Sequence, residues 1–284
     1  MKFCAINFRS GALMLLAAAV FLGLAATAGA VDVILTKTQR LSGKVRSADG
    51  KSVTIEIPGQ GVVAVPRAAI EKMSVEAPPA ILRGVEAYEK GAYKEAQLTL
   101  AKVAYQFIGL DTDWAAKALV YYARVCLMNG DNAGAEKAFN TFIEVYDEDP
   151  LVVDAELGLA ETQLAKNDVE KALAKFQELA DEYEKVLRPP MAQFPYAAEA
   201  FLGVGKCLEA KQDFAGAANA YLKVIALYPA ENSLPEALYR AAALYKKQKP
   251  EYAGMFLNDL ITQYPASPFA RKAADLQKEL GVKK

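Results

Sequence analysis

Residues 116–150 read AKALVYYARVCLMNGDNAGAEKAFNTFIEVYDEDP. Apolar positions recur at helical spacing on both sides of a short polar break, Asn129–Asn132. That pattern predicts two amphipathic helices joined by a tight turn. Ala123 and Ala135 are small where two helix backbones must come close, and Leu119, Tyr122, Phe139 and Phe142 are large where they must fill the space between. Asp149-Pro150 stops the second helix, because proline lacks an N–H and disfavours helix in the residue before it. A lone helical hairpin cannot bury its apolar face, so such a unit is expected to stack on others like it.

The same pattern recurs along the chain. A small residue opens each second helix: Ala96, Ala135, Ala172, Ala217 and Ala253, at spacings of 39, 37, 45 and 36 residues. Twelve positions earlier stands another small residue (Gly84, Ala123, Ala160, Gly205, Ala241), and four positions later a bulky one (Leu100, Phe139, Phe176, Tyr221, Leu257). Eleven positions later comes an aromatic: Phe107, Tyr146, Tyr183, Tyr228 and Tyr264. Turn residues precede each alanine: Gly91-Ala92, Gly130-Asp131, Asn167-Asp168, Gln212-Asp213 and the weaker Gln248-Lys249. Residues 267–280, SPFARKAADLQKEL, open with Ser267 as an N-cap and Pro268 at the first helical position, and form a charged end cap for the stack.

With Pro229 and Pro265 directly after two of the aromatics, this small–small–aromatic–proline pattern resembles the tetratricopeptide (TPR) repeat. YLKVIALYP and LNDLITQYP resemble more specifically the repeats of bacterial envelope proteins of the BamD and CpoB (YbgF) kind. The resemblance implies that the first helix of each unit lines a concave groove that binds a protein partner. Carried over unit by unit, the groove-facing positions are Ile81, Val85, Tyr88 and Glu89; Lys117, Val120, Arg124 and Met128; Asp154, Leu157 and Glu161; Glu199, Leu202, Lys206 and Glu209; and Leu238, Ala242, Tyr245 and Lys246. The partner-contact candidates among them are Tyr88, Lys117, Arg124, Met128, Glu161, Lys206, Glu209, Tyr245 and Lys246. They do not form the Lys/Asn carboxylate clamp of chaperone-binding TPRs. The long 45-residue spacing adds a loop around Leu187–Pro195, whose Met191 and Phe194 either contact a partner or pack on their own unit.

Residues 31–77 have another character. VDVILTK, QRLSGKVRSA, KSVTIEI, GVVAVPR and KMSVEA are short β-branched runs, with Asp49-Gly50 as a hairpin signal. Five short strands in this length predict a small, bent barrel, since an open sheet leaves too much edge. The order of runs resembles SH3-like or Sm-like barrels, with a helical turn at Pro66–Ile70 before the last strand. Some Sm-like barrels bind RNA, but this segment has no aromatic residue for base stacking, so a docking or oligomerisation module is the expectation. Glu76-Ala77-Pro78-Pro79 is the hinge to the helical part.

The first thirty residues read as a leader: Lys2 and Arg9, an uncharged run from Gly11 to Ala26, then Ala28-Gly29-Ala30. They resemble a bacterial Sec signal peptide, with cleavage expected after Ala30, an exported or periplasmic product and no membrane span afterwards. Without them the chain carries 31 basic and 34 acidic residues, a balance that does not attract nucleic acid. There is no histidine, which removes the commonest general base and metal ligand. No nucleotide, metal or nucleophile motif occurs, so catalytic residues, cofactors, metals and disulfides are expected to be none. Cys126 and Cys207 fall on first helices two units apart, too far for a disulfide, and read as buried apolar residues.

The expected fold is therefore mainly α. A signal peptide (1–30) and a small five-stranded β-barrel (31–77) precede a right-handed α-solenoid of about five helical hairpins with a C-terminal capping helix (78–284). The expected function is that of an exported, non-enzymatic adaptor or scaffold. A nucleic-acid-binding barrel and a cell-wall enzyme are the alternatives.

Overall fold

The structure is a computed structural model that describes residues 31–186 and 190–281. The leader expected over residues 1–30 lies outside the described residues. The chain begins with an antiparallel sheet: β1 (Asp32–Thr36), β2 (Arg40–Asp49), β3 (Ser52–Ile57), β4 (Gly61–Pro66), a 3-10 turn (Arg67–Ala69) and β5 (Ile70–Ser74). The strand order is β4-β3-β2-β1-β5. Strand β2 alternates, burying Leu41, Val45 and Ala48 and exposing most residues between, so the sheet has one apolar face. Irregularities in register at Val45/Ser47 and Leu35/Thr36 bend it.

Eleven helices follow among the described residues. They pair as α1 (Pro79–Glu89) with α2 (Tyr93–Leu100), α3 (Asp113–Met128) with α4 (Asn132–Val145), and α5 (Val152–Ala165) with α6 (Val169–Glu184). Next come α7 (Phe194–Ala210) with α8 (Phe214–Ala226), α9 (Leu234–Tyr245) with α10 (Pro250–Gln263), and the cap α11 (Pro268–Glu279). These are the five hairpins and cap expected from the sequence. The turn residues Gly91, Gly130, Asn167 and Gln212 all have left-handed backbones. The Asp131 and Asp213 carboxylates then cap the second helices by accepting from Gly134 N–H and Gly216 N–H.

The recurring alanines Ala96, Ala135, Ala172, Ala217 and Ala253 are all fully buried. The bulky residues are buried too, Leu100 and Tyr221 against Gly84 and Gly205 of the first helix of their own unit. Phe139 lies against Gly158 of the next unit, and Phe176 against Gly203, so closely that a Cβ at either glycine would overlap the ring. Burying such a phenylalanine contributes about 1.5–3 kcal/mol at each of these two layers.

One element departs from the expected pattern. Phe107, aligned above with the aromatics that end each second helix, lies instead in a two-residue strand β6 (Phe107–Ile108). The second helix of the first unit stops at Leu100, and β6 pairs parallel with β2, Ala48 opposite Phe107 and Asp49 opposite Ile108. The sheet therefore has six strands, the sixth supplied by the helical part. Its apolar face is completed by Ile81, Leu100, Leu110 and Ala115, which share one core with Ile34, Val53 and Ile55. Trp114 contributes here as well: its Nε1–H donates to the Val75 carbonyl at 3.0 Å and its ring meets Phe107 edge-on.

Candidate binding groove

The first helices α3, α5 and α7 bring charged side chains from three successive units together. Arg124 of α3 is at the centre, its side chain only 15% exposed. Its Nη1 donates to Glu161 Oε2 at 2.8 Å; its Nη2 donates to Asp154 Oδ1 at 2.5 Å and to Glu199 Oε1 at 3.0 Å. Residues 154 and 161 are on α5 and 199 is on α7. Helix geometry accounts for the pair on α5: i and i+7 share a face, so its two acids flank the arginine above and below.

Burial opposes the charge on Arg124, but Glu199, Asp154 and Glu161 outweigh it and keep the guanidinium cationic. Burial is also the largest influence on Glu199, raising its carboxyl to about 7; Arg124 pulls it down, and Glu161 and Asp154 push it further up. One cation thus faces three carboxylates. Tyrosines stand beside the cluster. Tyr88 stacks on Tyr121 with ring centroids 4.9 Å apart, and burial raises its phenol. Tyr196, at the start of α7, is raised by burial and by Asp154 and Glu199.

A second network ties α7 to α9. Arg240 donates to Glu209 at 2.6 Å and to Glu236 at 2.7 Å, and Lys206 lies 3.9 Å from Glu236. The Tyr221 phenol, fully buried and raised by burial, faces Glu209 and Arg240.

The structure brings together Arg124 and Glu161, and separately Lys206 and Glu209, among the partner-contact candidates. Lys117 is exposed at the rim of the groove, and Met128 is 58% exposed at the end of α3. Tyr245 lies at the far end, 6.4 Å from Tyr252, and Lys246 there sits 3.9 Å from Glu279 of the cap. In the long loop, Phe194 packs edge-on against Tyr228 of its own unit, whereas Met191 is 80% exposed. Ile81, Val120, Leu157, Leu202, Leu238 and Ala242, expected to face the groove, are instead buried beneath its surface. Adjacent first helices pack about 8–10 Å apart, which closes over the apolar side chains between them.

Tyr121, Tyr196, Glu236 and Arg240 are not among the groove positions expected from the repeat. Glu236 and Arg240 carry an i, i+4 signal in the sequence. Nothing local marks Tyr121 or Tyr196, whose placement depends on the curvature of the stack. Cys126 and Cys207 are buried free thiols, raised by burial, as their sequence context implies. Among the described residues no group of three or more His, Cys, Asp or Glu side chains is arranged to hold a metal ion, and no helix is long and apolar enough to cross a membrane.

Three segments, residues 154–185, 199–230 and 236–267, match the tetratricopeptide repeat family. No curated protein matches the sequence. Among solved structures, the chain is similar to TTC0263, a thermophilic TPR protein of Thermus thermophilus, at 20% identity over 70% of this chain and 97% of that one, TM-score 0.52. It is similar to the apo form of RapI at 11% identity over 72% and 77%, TM-score 0.56. A third likeness is to the Cut9–Hcn1 hetero-tetramer of the APC/C, at 17% identity over 71% of this chain and 35% of that one, TM-score 0.53. At such identities the likeness is one of fold. The helical part of the chain, three of whose hairpins match the tetratricopeptide repeat, has the fold of a tetratricopeptide solenoid.

Proposed function

We propose that the chain is an exported adaptor of the bacterial cell envelope, which holds a segment of a protein partner in the groove of its solenoid. The observation that supports this most directly is the division of labour along the groove. Arg124 is engaged by Asp154, Glu161 and Glu199, and Arg240 by Glu209 and Glu236. The Tyr88–Tyr121 stack, Lys117 and Met128 are left partly or fully exposed beside them. Large, rigid aromatic and Met side chains next to an ordered polar network make the kind of surface on which binding energy concentrates. The Sec-like leader supports residence outside the cytoplasm. The bent sheet, fused to the first unit through β6, serves in this reading as a docking or oligomerisation module.

Photo-crosslinkers placed at Tyr88 and Lys117, and at the convex-side Asn219 as control, test the groove in the native envelope. A discrete adduct from the first two and none from the third is expected. Equal yields, or none from the groove, would sink the assignment. Fractionation with N-terminal sequencing tests export: an intact Met1 in the cytoplasm would refute it.

A further inference from the structure

In a repeat stack each unit ordinarily contacts only its neighbours. The Arg124–Glu199 hydrogen bond skips a unit, running from α3 in the second hairpin to α7 in the fourth. The same guanidinium holds Asp154 and Glu161 of the third. Three carboxylates gathered around one cation repel one another. The cluster relieves the repulsion either by taking up a proton or by moving apart. Moving apart means drawing α7 away from α5, which flattens the stack on its concave side.

We infer that the Arg124–Glu199 bridge is a latch on the curvature of the groove, closed while the cluster of three carboxylates holds a proton and released when it loses that proton. The geometry carries the coupling: Asp154, Glu161 and Glu199 all lie within hydrogen-bonding distance of one guanidinium, so the charge of any one of them acts on the others. Burial of Glu199, which lifts its carboxyl to about 7, places the release near neutrality. The groups facing Glu199 are Arg124 from α3 and Asp154 and Glu161 from α5, with Tyr196 on its own helix. From α1, Tyr88 feels Arg124 and Asp154; from α6, Tyr183 stands near Tyr196. On α8, Tyr221 faces Glu209, Arg240 and Glu236 instead, and Lys223 pairs with Glu184. None of the tyrosines titrates near neutrality, since burial raises each of them. The latch rests on the groove reading only for its biological use.

The test reads shape, with no partner present. Spin labels at Asn140→Cys on α4 and Asn219→Cys on α8 straddle the third unit in the full chain; both sites are exposed, and the native Cys126 and Cys207 are fully buried. The label separation is measured at low ionic strength between about pH 5.5 and about pH 8.5. It should shorten on the convex side as the groove opens with rising pH. With Glu199→Gln added, it should stay at its low-pH value throughout. An unchanged separation in the parent, or the same shift with Glu199→Gln, would overturn the latch. Should Glu199→Gln fail to fold by circular dichroism, Asp154→Asn removes one charge from the same cluster and must move the midpoint; an unmoved midpoint overturns it equally. A shape change without partner binding would fail the adaptor reading and not the latch, and the reverse would fail the latch alone.

Discussion

Glu199 Oε1 accepts a hydrogen bond from Arg124 Nη2 across 3.0 Å, joining two residues 75 positions apart in the chain. With Asp154 and Glu161 on the same guanidinium, this is the most heavily shared cation among the described residues. Arg124→Met keeps most of the side-chain volume and leaves three acids without their counter-charge. Removing one partner of a buried pair costs about 3–5 kcal/mol, and the partial exposure of these carboxylates lowers that to about 2–3 kcal/mol. Urea denaturation at neutral pH checks it. A loss below about 0.5 kcal/mol would show that the network contributes no more than an ordinary surface pair.

The same cluster gives stability a signed dependence on pH. Glu199 is raised from 4.5 to about 7 in the folded chain, so between those values the folded state binds more protons than the unfolded one. Stability contributed by this group therefore falls as pH rises through that window and is fully present only below it. The difference in unfolding free energy between the parent and Glu199→Gln isolates the effect from the carboxylates that are lowered elsewhere, Asp49, Glu86 and Glu170. Relative to the parent, Glu199→Gln should gain stability steadily from about pH 5 to about pH 7.5, by a few kcal/mol at most. A flat difference, or one of opposite slope, contradicts the burial of that carboxyl.

Much of this architecture is legible in the sequence, because the repeat turns weak local signals into a register. The series from Ala96 to Ala253 marks the hairpins, and the bulky residues four positions later pack where the register puts them. The first unit breaks the pattern at Phe107. Its spacing fits the repeat, but its backbone is recruited by the free edge of β2, a tertiary choice that no local pattern carries. The groove shows the same division. Register places Arg124, Asp154, Glu161 and Glu199 on the concave side. It does not tell that they close on one another, because that depends on how tightly successive units curve.

Packing between units has its own test. Gly203 of α7 faces Phe176 of the preceding hairpin, and a Cβ there would stand 2.5 Å from the ring. Phe176 is fully buried and cannot swing aside without disturbing Ala160 and Ala172 in the same core. Gly203→Ala should therefore destabilise by about 1–3 kcal/mol through overpacking, despite alanine's better helix propensity of about 1 kcal/mol. Thermal unfolding monitored by circular dichroism gives the sign. A raised melting temperature would mean that the layers have slack.

Trp114, the only tryptophan, reports on how the sheet is fastened to the helices. Its Nε1–H is bonded to the Val75 carbonyl just beyond β5, while its ring touches Phe107 of β6. Trp114→Phe keeps an aromatic ring against Phe107 and leaves the Val75 carbonyl without its donor, a loss of about 1–2 kcal/mol. Repeat stacks open piecewise, so the loss should be local. Amide hydrogen exchange should speed up roughly 5- to 30-fold in β1, β5 and α1, which share that core, and stay unchanged in α9 and α10. Equal acceleration in α9 and α10 would show that the whole chain unfolds as one unit. No acceleration near β5 would show that the sheet is held by the β2–β6 pairing and its apolar face alone.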